Sequence, residues 1–180
     1  EANALVSVPY SEKENVRVLL NQFIAEIELE LSETEPTIQI TLESEQLPTT
    51  AVDKKTSDAL LNALYACPHG VIAMSRDMPG LVETSTNLAS IKMKPGNNIL
   101  ITTSQRSSIE SSKYDIANQV EAALTLAGAT ATHGDGYPGW KPNLKSNVLT
   151  VAQAAYKTLF NETPGIRAIH AGLECGLFLE

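Results

Sequence analysis

The sequence predicts an α+β fold: a mixed or antiparallel sheet with helices on one face, followed by a partial α/β segment. Three observations point there. Apolar residues switch repeatedly between helical spacing and strict alternation. The turn Pro95-Gly96-Asn97-Asn98 joins two alternating runs, which predicts an antiparallel hairpin. From His133 to Asn143 the chain holds three Gly, two Pro and its only Trp, a composition break that marks a domain boundary.

Residues 2–8 read as a strand ended by Pro9. Ser11 and Glu14 are spaced as a capping box for a long amphipathic helix carrying Val16, Leu19, Leu20, Phe23, Ile24, Ile27 and Leu31. Residues 37–43 alternate with period two and predict a strand with one wet face. A second helix begins near Asp53, carries Ala59, Leu60, Leu61, Leu64 and Tyr65, and is closed by Pro68-His69-Gly70. Residues 71–74 form a short strand, and 76–80 a polar turn.

Residues 82–93 alternate again. Val82, Thr84, Thr86, Leu88 and Ser90 share a face, after which Ile91 and Met93 shift phase, as at a β-bulge. Residues 99–103 are the hairpin partner. Ser111 or Ser112 can cap a helix through Ile116, Val120, Ala123 and Leu124, with Gly128 as its stop. Residues 129–132 read as one more edge strand. Beyond the composition break come a helix over 147–160, a Pro164-Gly165 turn, a strand over 166–169 and a glycine-rich turn. That order belongs to a doubly wound α/β domain, so the chain is expected to be a piece of a longer protein.

Composition narrows the function classes. A net charge of -8 argues against nucleic acid, which needs clustered Lys and Arg. No apolar run reaches the roughly 20 residues of a membrane span. The two cysteines, Cys67 and Cys175, have no CxxC partner and fit a reducing compartment. His69, His133 and His170 show no metal-ligand spacing, and neither a GxSxG elbow nor a GxxxxGK[ST] loop occurs. The chain alone therefore lacks the groups for metal or nucleophilic catalysis.

Binding groups are easier to find. Asn87 interrupts a β-favoured run where asparagine is depleted, and its amide could grip a ligand carbonyl. Arg106 stands at a strand end among small hydroxyls, in Gln105-Arg106-Ser107-Ser108, which suits two-pronged binding of a carboxylate. On residue type alone, the plainer reading of a surface arginine in a helix-capping loop outweighs this. His170, ending an apolar run, is equally a buried hydrogen-bonded histidine or a site residue. The turn Ala171-Gly172-Leu173-Glu174-Cys175-Gly176 gives up packing for close backbone approach, as a ligand pocket requires.

Four segments change those odds. Pro79 to Asn87, Gln105 to Ser108, Tyr137-Pro138-Gly139-Trp140-Lys141-Pro142 and Ile169 to Phe178 together resemble the aminoacyl-histidine (Xaa-His) dipeptidases of the M20 metallopeptidases. The Tyr-Pro-Gly-Trp and His-Ala-Gly-Leu-Glu-Cys-Gly strings are the specific ones. The resemblance implies a cytoplasmic dizinc enzyme with an α/β catalytic domain and an inserted, ferredoxin-like lid that also forms a homodimer. Residues 1–133 then match most of the lid, and 134–180 the return into the catalytic domain. A zinc-bound water would hydrolyse the dipeptide with a glutamate moving the proton. None of the family's metal ligands, nor that glutamate, is matched here, so this piece is expected to be inactive alone.

Carried over by resemblance, Asn87 and Arg106 match substrate-binding lid positions. Gly172, Glu174 and Gly176 match the glycine turn at the substrate pocket, Glu174 in a supporting role and not as a metal ligand. The alternative reading is a non-enzymatic α+β dimerisation or small-ligand-binding module.

Overall fold

The computed structural model describes residues 2–170. The chain divides into two compact units, one ending at Lys54 and the other beginning at Lys55. In the first, a 3-10 turn (Tyr10–Glu12) leads into helix α1 (Lys13–Glu30). Val16, Leu20, Ile24 and Ile27 form the half-buried stripe of α1, as their spacing requires, and none is fully buried.

The capping box does not form. The Pro9 carbonyl accepts the Glu12 N–H at 2.9 Å and winds Ser11 into the 3-10 turn. Glu12 becomes the N-cap with no side-chain cap bond, and its carboxylate instead accepts from Asn15 Nδ2 at 2.9 Å.

The second unit holds helix α2 (Lys54–Ala66), strands β1 (Gly70–Met74), β2 (Val82–Lys94) and β3 (Asn98–Ser107), and helices α3 (Glu110–Leu126) and α4 (Asn147–Phe160). The strands make one antiparallel sheet in the order β1-β2-β3. Between β2 and β3 the chain reverses through Pro95-Gly96-Asn97. Gly96 has φ +79° and Asn97 φ +60°, values that glycine and asparagine tolerate best. The register slips between Leu88 and Ser90, which is the phase shift read from the sequence. Beyond it Ser90 pairs with Thr102 and Ile91 with Ile101, so Ser90 leaves the face it was expected to share with Leu88.

Helices cover one face of this sheet. Ala63 and Cys67 of the α2 segment meet Val120 and Leu124 of α3 in one apolar cluster, with Ile101 of β3 packed against it. Ile116, Val120 and Leu124 recur at every fourth residue and supply the buried stripe of α3. On the sheet side of this layer Thr84 and Thr86 are buried with their hydroxyls satisfied. Thr84 Oγ1 shares a 2.8 Å hydrogen bond with Ser107 Oγ, and Gln105 Nε2 donates to Thr86 Oγ1 at 3.0 Å.

Neither Ser111 nor Ser112 caps α3. The helix starts earlier, with Ile109 as N-cap, and the Ile109 N–H is taken by Ser107 Oγ. Its far end matches expectation: Gly128, at φ +85°, donates to Thr125 O and Ala129 to Leu124 O, a Schellman stop. Cys67 is a free, buried thiol whose pKa desolvation raises.

Four expected strands, at 2–8, 37–43, 129–132 and 166–169, are absent among the described residues. Alternation records that a segment would have one apolar face, but a strand also needs a neighbour to satisfy its backbone. None of these segments pairs with β1, β2 or β3. The same logic applies to α4. It covers the expected residues yet buries none of them, leaving Val148, Val151, Leu159 and Phe160 largely exposed.

Residues 133–146 form no helix or strand but are tied down. Lys113 Nζ donates to Tyr137 O at 2.9 Å, the Gly139 N–H to Glu110 Oε2 at 2.6 Å, and Lys141 pairs with Asp77 at 2.7 Å. Lys113 and the Gly139 N–H hold the Glu110 carboxyl below its usual range. That contribution is present above pH 4.5 and is lost as the pH falls through the lower folded value.

Two measurements check this packing. Ile116 is 1% exposed, so Ile116→Ala is expected to cost about 2–5 kcal/mol in chemical denaturation; a loss under about 1 kcal/mol contradicts the burial. A Cβ at Gly139 would lie 3.1 Å from Ser107 O and 3.2 Å from both Ser108 C and Glu110 Oε2. Gly139→Ala should therefore loosen the Tyr137–Lys141 strap, seen as faster amide exchange at residues 137–141, whereas unchanged protection would show that the neighbours yield freely.

Candidate functional site

Because α2 and α3 occupy one face of the sheet, alternation leaves the other face bare. Along β2, Thr84 and Thr86 turn towards the helices, so Ser85 and Asn87 turn away. Along β3, Thr103, Gln105 and Ser107 are half-buried while Ser104 and Arg106 are exposed. Register then sets them opposite one another: Ser85 pairs with Arg106 and Asn87 with Ser104. Four polar side chains from segments about 20 residues apart thus form a square on the helix-free face.

His170 closes one side of it. Its Nε2 lies 2.7 Å from Ser85 Oγ, and with Ser85, Asn87, Ser104 and Arg106 it lines an open pocket of ≈ 260 Å³. Burial, and after it the Arg106 charge, push the His170 pKa below 6.5, with a hydrogen bond from the ring to the Val82 backbone acting the other way. The tautomer with its proton on Nδ1 accepts a hydrogen bond from the Ser85 hydroxyl at Nε2. Among the described residues no carboxylate lines the pocket, and Arg106 disfavours an imidazolium, so the Ser85–His170 contact is read as a clamp.

Arg106 has no ion-pair partner and Asn87 no side-chain hydrogen bond among the described residues, which leaves a guanidinium and an amide open to a ligand. Of the residues expected at a site, Asn87 and Arg106 are brought together. Gly172, Glu174 and Gly176 lie outside the described residues. Ser85 and Ser104 were not anticipated as site residues; His170, read equally as a buried hydrogen-bonded histidine or a site residue, is hydrogen-bonded and lines the pocket. Alternation could have supplied the two serines, since they share a face with Asn87 and Arg106. The bond from His170 to Ser85 spans 85 residues and leaves no local signal.

The other histidines serve the scaffold. His69 Nδ1 accepts the Leu88 N–H at 3.1 Å, and His133 Nε2 lies 2.8 Å from Glu121 Oε2. Among the described residues no group of three or more His, Cys, Asp or Glu side chains could hold a metal ion. The donor set therefore does not fit a zinc centre. No described helix is long and apolar enough to cross a membrane.

No protein-family model matches the chain. Over 178 residues, 99% of its length, it is 36% identical to the cytosol non-specific dipeptidase of Escherichia coli (strain K12), covering 36% of that protein. The crystal structure of aminoacylhistidine dipeptidase from Vibrio alginolyticus superposes with a TM-score of 0.84 at 32% identity, over 95% of this chain and 35% of that one.

Over nearly its whole length the chain is similar to these dipeptidases. It spans about a third of the length of the relatives it matches. The α+β architecture recurs in the solved dipeptidase, and the pocket of Arg106 and His170 lies within the matched span. Any metal centre of a dipeptidase would have to draw ligands from beyond the described residues.

The clamp is pH-sensitive. With its folded pKa depressed, His170 favours the docked state above pH 6.5, and that preference is lost as the pH falls from there through the lower folded value. In NMR titration the His170 ring is expected to protonate below 6.5; a midpoint at or above that value contradicts the clamp.

Proposed function

We propose that the whole protein is a metal-dependent dipeptidase that hydrolyses Xaa-His dipeptides in the cytoplasm, and that this segment supplies recognition and not bond cleavage. The observation that carries the reading is the Arg106 guanidinium, without an ion-pair partner among the described residues, beside Asn87 on the bare sheet face of a chain 36% identical to a dipeptidase over 178 residues. A dipeptide has one feature common to every sequence, a terminal carboxylate a fixed distance from the scissile bond. A guanidinium is built to receive it with two parallel hydrogen bonds. Holding that carboxylate fixes which bond is presented for cleavage.

In this reading Arg106 binds the substrate carboxylate and Asn87 grips the peptide backbone. Gly172 to Gly176 lines the pocket, with Glu174 supporting it. Residues 1–133 form most of a lid that also makes a homodimer, and 134–180 belong to the catalytic domain. Support for that division comes from the strapped irregular segment 133–146 and from the apolar surface of α4, which suits a helix made to cover a larger sheet. The zinc ions would activate water and polarise the peptide carbonyl from parts of the polypeptide that this chain does not match. The chain alone is therefore expected to show no turnover with zinc.

The test is kinetic. In the full-length enzyme Arg106→Ala should raise KM for Ala-His about 10- to 100-fold, the loss of a charge-assisted hydrogen bond. Arg106→Lys should recover only part of it, because an ammonium cannot make the paired contact. Unchanged kinetics would remove Arg106 from the site, and absence of Xaa-His hydrolysis by the wild-type enzyme would end the dipeptidase reading.

A further inference from the structure

We propose that His170 is a positioning residue of the carboxylate site, anchored through Ser85 so that its neutral ring walls the pocket beside Arg106 and sets where a substrate carboxylate can sit. The inference rests on the dipeptidase reading and deepens it. Ser85 is the direct cross-strand partner of Arg106, so a ring held 2.7 Å from Ser85 Oγ is fixed next to the guanidinium. The ring's further hydrogen bond to the Val82 backbone occupies it from a second side. Both contacts orient the imidazole beside Arg106.

The consequence is electrostatic. A long arginine side chain in open water makes a weak and poorly directed carboxylate contact. A neutral ring on one side excludes water from that contact, strengthens it and removes alternative approach directions. The ring must stay uncharged for this arrangement to hold while the pocket is empty, because a second cation would repel Arg106. Burial and the Arg106 charge both favour the neutral form. His170 also opens the His-Ala-Gly-Leu-Glu-Cys-Gly string. The Ser85 bond therefore fastens the start of that string to the strand carrying Asn87.

The experiment compares Ala-His with its C-terminal amide in the full-length enzyme and its variants. The wild type should prefer the free carboxylate. His170→Ala should raise KM for Ala-His about tenfold, with most of the loss in KM and not kcat, and shrink the acid-over-amide preference by a similar factor. His170→Gln, whose amide can still accept the Ser85 proton, should return to within about threefold of wild type. Ser85→Ala should reproduce part of the effect, and the Ser85→Ala/His170→Ala double variant should be no worse than His170→Ala alone, since the two residues act as one unit. An unchanged acid-over-amide preference in His170→Ala overturns the proposal, as does an equal loss on both substrates without rescue by glutamine. A wild-type enzyme that cleaves Ala-His without preferring acid over amide refutes the carboxylate site as a whole, and one that cleaves neither refutes the dipeptidase reading.

Discussion

The register of the β2–β3 hairpin is the constraint on which the rest depends. Side chains on a strand alternate faces, so a slip of one residue would send Arg106 into the helix layer and bring Gln105 out. Three devices hold the register. The Pro95-Gly96-Asn97 reversal uses two positive-φ residues that fix the loop length. The bulge between Leu88 and Ser90 absorbs the change of phase before it reaches the site. At the other end, buried Thr84 and Thr86 are matched by hydrogen bonds to Ser107 and Gln105, which a shifted strand would leave unsatisfied. Apolar packing from α2 and α3 then decides which face is covered. Recognition groups occupy the bare face because the core has taken the other.

The site combines one permanent cation with a neighbour kept neutral. Arg106 supplies the cation. His170 would compete with it if protonated, and burial together with the Arg106 charge lowers its pKa below 6.5. Small hydroxyls at Ser85 and Ser104 leave room for a ligand while offering hydrogen bonds. Among the described residues no group of three or more His, Cys, Asp or Glu side chains could hold a metal ion. The dipeptidases that the chain resembles are about three times as long.

Features that depend on near neighbours were legible in the sequence. Helix α4 spans the expected residues, α3 buries Ile116, Val120 and Leu124 as expected, Gly128 stops it, and the phase shift near Ile91 is a bulge. Features that depend on a remote partner were not. Residues 2–8 and 37–43 alternate like strands, yet nothing in alternation supplies the backbone they would pair with. Ser11 has the spacing of a cap, but the Pro9 carbonyl competes successfully for the turn. Asn87 was singled out because asparagine is depleted in strands, and Arg106 through the resemblance of its segment; the register sets both on one sheet face. Ser85 and Ser104 are ordinary residues given meaning by the ladder, and His170 reaches the site only through tertiary contact.

A crystal structure of the full-length enzyme with a non-hydrolysable dipeptide analogue tests the central claim most directly. The analogue's terminal carboxylate is expected within about 3.2 Å of the Arg106 guanidinium nitrogens, on the sheet face that carries Asn87. A carboxylate held elsewhere, with Arg106 left in solvent, would contradict it.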